Sequence, residues 1–222
     1  GRNLLKLGIL GGTFDPVHLG HLRSAEEIGQ KLQLDKVYLI PSSFPPHKKI
    51  KNFTSFDHRF NMVRLAIDDS SLLDALDLEA KRPGFSYSIE TLREFHNLFS
   101  PDPDLFFILG IDAFLDIKTW KEYKRLFDYA HFVVIERPGY SSDLAFSQLC
   151  DLIHGIEKTH ESHIYKMPSG RSLIFMTPTL LDISSTGIRK MIANGESIRF
   201  LVPESVRIYI NEKGLYGENA IC

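Results

Sequence analysis

The stretch from Gly8 to His21, GILGGTFDPVHLGH, constrains this chain more than any other. An apolar run, Leu4 to Leu10, leads into Gly11-Gly12, and the pattern then switches from strand-like to helix-like. Two histidines, His18 and His21, follow the switch three residues apart. A glycine-rich turn between a strand and a helix start lets the backbone approach an anion. The unpaired N–H groups and the dipole of the helix end then face that anion. The spacing predicts a helix from His18 to Leu32, with His18 and His21 on one face of its first turn. Leu22, Ala25, Ile28, Gly29 and Leu32 form its apolar stripe. Lys36 to Ile40 reads as the next strand. Such a βαβ unit implies a parallel sheet with right-handed crossovers.

The alternation continues along the chain. Pro41 to Phe53 is a proline-stiffened loop carrying His47, Lys48, Lys49 and Lys51. Thr54 or Ser55 caps a helix from about Phe56 to Asp68. Leu73 to Ala80 has strand-like alternation, and Ser86 to Leu98 a helical stripe. Asp104 to Leu109 is the most apolar strand and ends in Gly110-Ile111-Asp112. Trp120, the only tryptophan, follows in a region that reads as helical. His131 to Ile135 and Ser172 to Met176 are the remaining strands. Between them Leu144 to Ile156 reads as helical and Lys158 to His163 as a polar loop. Ile183 to Arg189 opens a helix that Gly195 can end, and Pro203 to Glu212 is the last helix. The expected fold is therefore α/β: a Rossmann-like, doubly wound, mostly parallel open sheet with helices on both faces. One domain spans 1–222, with a surface excursion at about 140–171 and a small C-terminal helical part at about 183–222. In such sheets ligands bind beyond the carboxyl ends of the strands, where every unusual polar cluster of this sequence falls.

Charge and composition narrow the function classes. A net charge of −2 over 222 residues supplies no basic field for nucleic acid or for an anionic membrane. No segment approaches the ~20 apolar residues of a membrane helix. No signal peptide is expected from the short N-terminal apolar run. Cys150 and Cys222 make neither a disulfide framework nor a metal cluster, which fits a reducing cytoplasm.

Each polar cluster has a plain reading and a chemical one. The first glycine pair is neither a Walker A loop nor a G-x-G-x-x-G fingerprint, and alone it is only a tight turn. Two histidines beside it favour a phosphate site, with metal binding by His18, His21 and Asp15 as the competing reading. Ser184, Ser185 and Thr186 can simply cap a helix. Together with Arg189, one turn later, they form a second anion site, and two such sites suit a triphosphate. His47 and Lys48 belong to a solvated loop or to the site of a second anionic substrate. Tyr87 and Ser88 cap a helix, or its free amides take a carboxylate. Trp120 is core or a stacking platform for a flat ring, and Asp112 is a cap or a ribose acceptor. No Ser-His-Asp set, nucleophilic cysteine or hydrolytic carboxylate pair is present. That points to group transfer by positioning, with cations neutralising the developing charge.

GGTFDPVHLGH and ISSTGIR together resemble the nucleotidyltransferase superfamily with the H-x-G-H signature. PSSFPPHK, SYSIETL, ILGIDAF, KTW, ERPGY and the C-terminal NEKGLY resemble one branch of it, bacterial nicotinate-nucleotide adenylyltransferase. The likeness runs in order over nearly the whole chain. One departure is Phe85-Ser86-Tyr87-Ser88, where the family usually has Pro-Ser-Tyr-Thr.

The resemblance implies adenylyl transfer from ATP to nicotinate mononucleotide, with Mg²⁺ carried by the ATP and no metal held by protein side chains. Nicotinate adenine dinucleotide and pyrophosphate would form without a covalent enzyme intermediate. It implies that Gly11, Gly12 and Thr13 line the nucleotide phosphates, with Phe14 and Gly20 in the same ATP-binding set. His18, His21 and Arg189 would be catalytic. Gly110 and Asp112 would hold the adenosine. Ser184, Ser185 and Thr186 would grip the β- and γ-phosphates, with Arg137 near them. His47, Lys48, Tyr87, Ser88 and Trp120 would bind the nicotinate nucleotide. The expected partners are these two substrates, with no nucleic acid and no membrane; homo-oligomer formation stays open. Adenylyl transfer to another phosphate ester, such as phosphopantetheine, is the enzyme alternative, and a non-catalytic nucleotide sensor on the same fold is the other.

Overall fold

The computed structural model describes residues 4–43, 54–81 and 88–217. The strands are β1 (Lys6–Gly12), β2 (Lys36–Pro41), β3 (Leu73–Ala75), β4 (Asp104–Gly110), β5 (His131–Ile135), β6 (Glu157–Lys158), β7 (Ile164–Lys166) and β8 (Ser172–Met176). The helices are α1 (Leu19–Lys31), α2 (Phe56–Ala66), α3 (Ser88–Leu98), α4 (Ile111–Leu115), α5 (Tyr123–Tyr129), α6 (Ser142–Leu152), α7 (Ser185–Ala193) and α8 (Glu204–Lys213). The chain is an α/β protein with an open, mostly parallel sheet flanked by helices, as the sequence pattern predicts. It divides into two compact units. One holds residues 4–10, 33–35 and 88–178, the other 11–32, 36–43, 54–81 and 179–217.

In the first unit β1 pairs in parallel with β4, β4 with β5, and β5 with β8. The registers run Lys6 with Asp104, Phe107 with Phe132, and Val133 with Ile174. Leu105, Phe132, Val133, Val134 and Leu173 are fully buried. Strands covered on both faces read as continuous apolar runs, which is why DLFFIL and HFVVI were so legible. The stretch at 140–171, expected as a surface excursion, holds α6, β6 and β7. Phe146 of α6 stacks on Tyr165 of β7 at 3.9 Å. β7 pairs antiparallel with β8, and β6 with β7, so the segment extends the sheet as a small hairpin. Two-residue and three-residue strands carry too little periodicity to be seen in sequence.

In the second unit β2 pairs in parallel with β3, and α2 packs on α8. The strand predicted over Leu73 to Ala80 stops at Ala75, and a 3-10 turn takes over at Leu78–Lys81. Of the two cap candidates for α2, Ser55 is the cap: its hydroxyl accepts the His58 N–H at 3.3 Å. Two helices, α7 and α8, follow the last strand, and Gly214 ends α8 with a left-handed φ of 61°. Among the described residues no helix is long and apolar enough to cross a membrane.

Candidate active site

The H-x-G-H stretch folds for a local reason. His18 is not inside α1 but is its N-cap, in extended backbone, and its Nδ1 accepts the Gly20 N–H at 3.1 Å. The His21 Nδ1 in turn accepts the His18 N–H at 3.1 Å. This is a capping box in which two imidazoles replace the usual hydroxyl and carboxylate. The rings therefore stack, with centroids 3.7 Å apart. A β-carbon on Gly20 would lie 2.9 Å from the His18 Cε1 and Nδ1, so only glycine admits this ring. The Leu19 N–H donates to Leu201 O at 2.9 Å. The Leu19 and Gly20 amides of the α1 terminus are thus occupied. Two of the amides expected to face an anion therefore already have protein partners.

Those imidazoles have a defined protonation state. Burial lowers the His18 pKa to about 4. Burial, helped by the neighbouring His18, lowers that of His21 to about 3. Both rings are neutral at pH 7. Each Nδ1 accepts a hydrogen bond, so each ring proton sits on Nε2. The site thus offers two neutral N–H donors side by side, not two cations.

The segment between β1 and α1 is gripped carbonyl by carbonyl. Gly11 and Gly12 are the last residues of β1, not a turn. A β-carbon on Gly12 would press within 3.3 Å of the Phe14 ring. Phe14 is 2% exposed and its ring meets His21 edge-on at 5.0 Å. Arg59, 2% exposed, donates to Thr13 O at 2.9 Å, to Ser42 O at 2.7 Å and to Thr54 O at 2.9 Å. The buried Asp15 carboxylate accepts from the Tyr216 hydroxyl and from the Thr54 N–H. It is spent on the protein, which removes it from the metal set once considered with His18 and His21. Among the described residues no group of three or more His, Cys, Asp or Glu stands together as a metal site.

The second cradle is joined to the first within the same unit. The Ser184 hydroxyl caps α7 by accepting the Gly187 N–H at 3.0 Å. The Ser185 hydroxyl donates to Pro16 O at 2.8 Å. Arg189 donates to Asp15 O at 2.8 Å and to the Thr186 hydroxyl at 3.3 Å. Of the three hydroxyls expected on phosphate, Ser185 already donates to the protein, while Ser184 and Thr186 accept bonds and keep their own O–H. The Ser185 and Thr186 amides, which helix geometry leaves without an intrahelical partner, and the remaining Arg189 N–H groups are what the cradle offers. Ahead of α7, the Thr179 N–H and hydroxyl bind the Glu27 carboxylate of α1 at 2.6 and 2.5 Å. These bonds, with help from Arg23, hold Glu27 down at about 2.

In the first unit Gly110 is the N-cap of α4, and a β-carbon there would lie 2.8 Å from Asp112 Oδ1. Asp112 Oδ2 accepts from Arg137 at 3.0 Å, and the Arg137 guanidinium lies over the Tyr140 ring at 4.9 Å. Arg137, expected beside the β- and γ-phosphates, thus has Asp112 and Tyr140 as its partners. Trp120 is half-buried and edge-on to Phe107 at 6.0 Å. It follows a 3-10 turn (Ile117–Thr119) in extended backbone and is not helical as predicted. Ser88 opens α3. His47, Lys48 and Tyr87 lie outside the described residues.

Arg59, Tyr216 and the Glu27–Thr179 pair were missed in the sequence. Arg59 left a trace: it occupies a stripe position of α2 beside Phe56, Phe60 and Val63, where an apolar residue is expected.

The cytidylyltransferase-like family model matches residues 9–191. A probable nicotinate-nucleotide adenylyltransferase of Desulfatibacillum aliphaticivorans is 44% identical over 218 residues, covering 96% of this chain and 100% of that protein. Its counterpart in Geotalea uraniireducens is 43% identical over 220 residues, covering 96% and 99%. The chain belongs to the cytidylyltransferase-like superfamily and, within it, to the nicotinate-nucleotide adenylyltransferase family. The fold is also that of Plasmodium falciparum nicotinic acid mononucleotide adenylyltransferase complexed with NaAD. That likeness has a TM-score of 0.72 at 21% identity and covers 95% of this chain and 97% of the other.

Proposed function

We propose that this protein transfers AMP from ATP to nicotinate mononucleotide, forming nicotinate adenine dinucleotide and pyrophosphate in NAD biosynthesis. Family membership supports the substrates, and the stacked His18–His21 pair is the observation that carries the chemistry. The acceptor's 5′-phosphate oxygen attacks the α-phosphorus directly. A new P–O bond forms as the α–β bridging bond breaks, and the electron pair leaves with pyrophosphate. Nothing in this scheme needs an enzyme nucleophile. The two Nε2–H groups donate to phosphate oxygens as charge builds, and Arg189 takes up charge on the departing pyrophosphate. Neutral imidazoles can fill this role, because each keeps its Nε2–H while its Nδ1 accepts a backbone N–H.

Mg²⁺ is part of the proposal as a companion of ATP, held by phosphate oxygens; when bound it supplies charge neutralisation there. Gly110 and Asp112 are assigned to the adenosine, and Ser88 and Trp120, with Tyr87, His47 and Lys48, to the acceptor nucleotide. A cytoplasmic setting is part of the same proposal, on the sparse cysteine usage. The test is incubation with ATP, Mg²⁺ and nicotinate mononucleotide, following pyrophosphate. Release that depends on all three is expected; release with ATP and Mg²⁺ alone would replace transfer by hydrolysis.

A further inference from the structure

We propose that Tyr216, at the far end of the chain, is a positioning residue for Arg189, acting through Asp15. The inference rests on the adenylyltransferase reading. Its basis is a buried chain of contacts inside one unit. The Tyr216 ring is 6% exposed, and its hydroxyl donates to the Asp15 carboxylate, itself 3% exposed. The Asp15 backbone carbonyl receives Arg189 at 2.8 Å, the shorter of the two bonds that hold the guanidinium. The aromatic residues beside this carboxylate, Phe14 and Tyr216, both have left-handed backbone, with φ of 51° and 62°. A bulky side chain adopts that conformation only where its surroundings hold it there, and such residues gather at working sites. Gly214, at φ 61°, turns the chain out of α8 so that Tyr216 reaches inward.

The purpose of the hydroxyl follows from charge. The Asp15 carboxylate lies in the field of the buried Arg59, and its backbone holds Arg189, so its oxygens would be open to either guanidinium unless they were taken. Tyr216 takes one and the Thr54 N–H, at 3.4 Å, the other. Arg189 is thereby left on a carbonyl, a neutral acceptor, with its charge free for substrate phosphate. Burial and the Asp15 charge both raise the Tyr216 pKa, so the hydroxyl stays protonated and keeps donating at any working pH. Without it, the Asp15 carboxylate captures Arg189 and withdraws its charge from the pyrophosphate.

The test is a cycle of Tyr216→Phe and Arg189→Lys, with kcat, the KM for ATP and the thermal midpoint measured for each protein. Tyr216→Phe keeps the buried ring and removes only the hydroxyl. It is expected to lower kcat about tenfold with a smaller change in KM, as for a lost charge-assisted hydrogen bond acting in the transition state. In the Arg189→Lys background the same change should cost less than about twofold, because the group it positions is gone. Equal losses in both backgrounds, or a wild-type kcat for Tyr216→Phe, would overturn the inference. Should Tyr216→Phe not fold, Asp15→Asn is carried through the same cycle from the other end of the hydrogen bond, with the same expected non-additivity. Wild-type protein runs in every series. Failure of the wild type to make the dinucleotide counts against the adenylyltransferase reading, whereas an additive cycle on an active wild type counts against the role of Tyr216 alone.

Discussion

Replacing His21 separates two jobs that one imidazole performs. Its Nδ1 is the acceptor for the His18 N–H at 3.1 Å, in a residue only 6% exposed. His21→Ala strands that donor, at a cost of about 1–3 kcal/mol of folding stability. It also removes one of the two Nε2–H groups proposed to donate to developing phosphate charge. Loss of one such preorganised donor lowers kcat by about 10²–10³-fold, or about 3–4 kcal/mol of barrier. The two losses come apart with His21→Glu, since glutamate is the ordinary partner at this position of a capping box and offers no donor. Urea unfolding and steady-state pyrophosphate release are the assays. Glutamate should recover most of the stability lost by alanine while kcat stays at the alanine level or below. Recovery of kcat together with stability would refute the reasoning and reduce His21 to a cap.

Further outcomes follow from the same geometry. Both histidines are held neutral in the fold, so below the unfolded histidine value of about 6.5 the unfolded chain binds more protons than the folded one. Stability is therefore complete above that pH and falls as pH drops toward about 4, with His131, also lowered by burial, acting in the same direction; denaturant melts across that window check it, and a flat profile contradicts it. Gly20→Ala puts a β-carbon against the His18 ring and pushes it off the amide it caps, which should cut kcat roughly tenfold and cost about 1 kcal/mol of stability in thermal unfolding. Arg59→Met leaves three half-buried carbonyls without their donor and should cost about 3 kcal/mol in thermal unfolding.

The long elements were legible because their patterns are strong. Strands such as DLFFIL are unbroken apolar runs, and helices such as α1 carry a 3.6-residue pattern over enough length to stand out. What escaped was decided by contacts between distant residues. Sequence placed Ser184, Ser185 and Thr186 at a helix start but could not tell that Ser185 turns back to Pro16 O, 169 positions away. It put the histidines together but made His18 the first residue of the helix; the capping box that fixes both tautomers appears only once Gly20 and the imidazoles are in place. Arg59 and Tyr216 are buried on partners far along the chain, and polar residues of that kind look like errors in a hydrophobic pattern until those partners are known.

The most direct measurement of the central claim is product analysis with competing acceptors. Purified protein, ATP and Mg²⁺ are given nicotinate mononucleotide, nicotinamide mononucleotide or phosphopantetheine, and kcat/KM is compared by mass spectrometry of the adenylylated product. The account predicts nicotinate adenine dinucleotide with one pyrophosphate per product, at the highest kcat/KM of the three acceptors. Absence of a dinucleotide from both pyridine nucleotides, or faster adenylylation of phosphopantetheine, would contradict it.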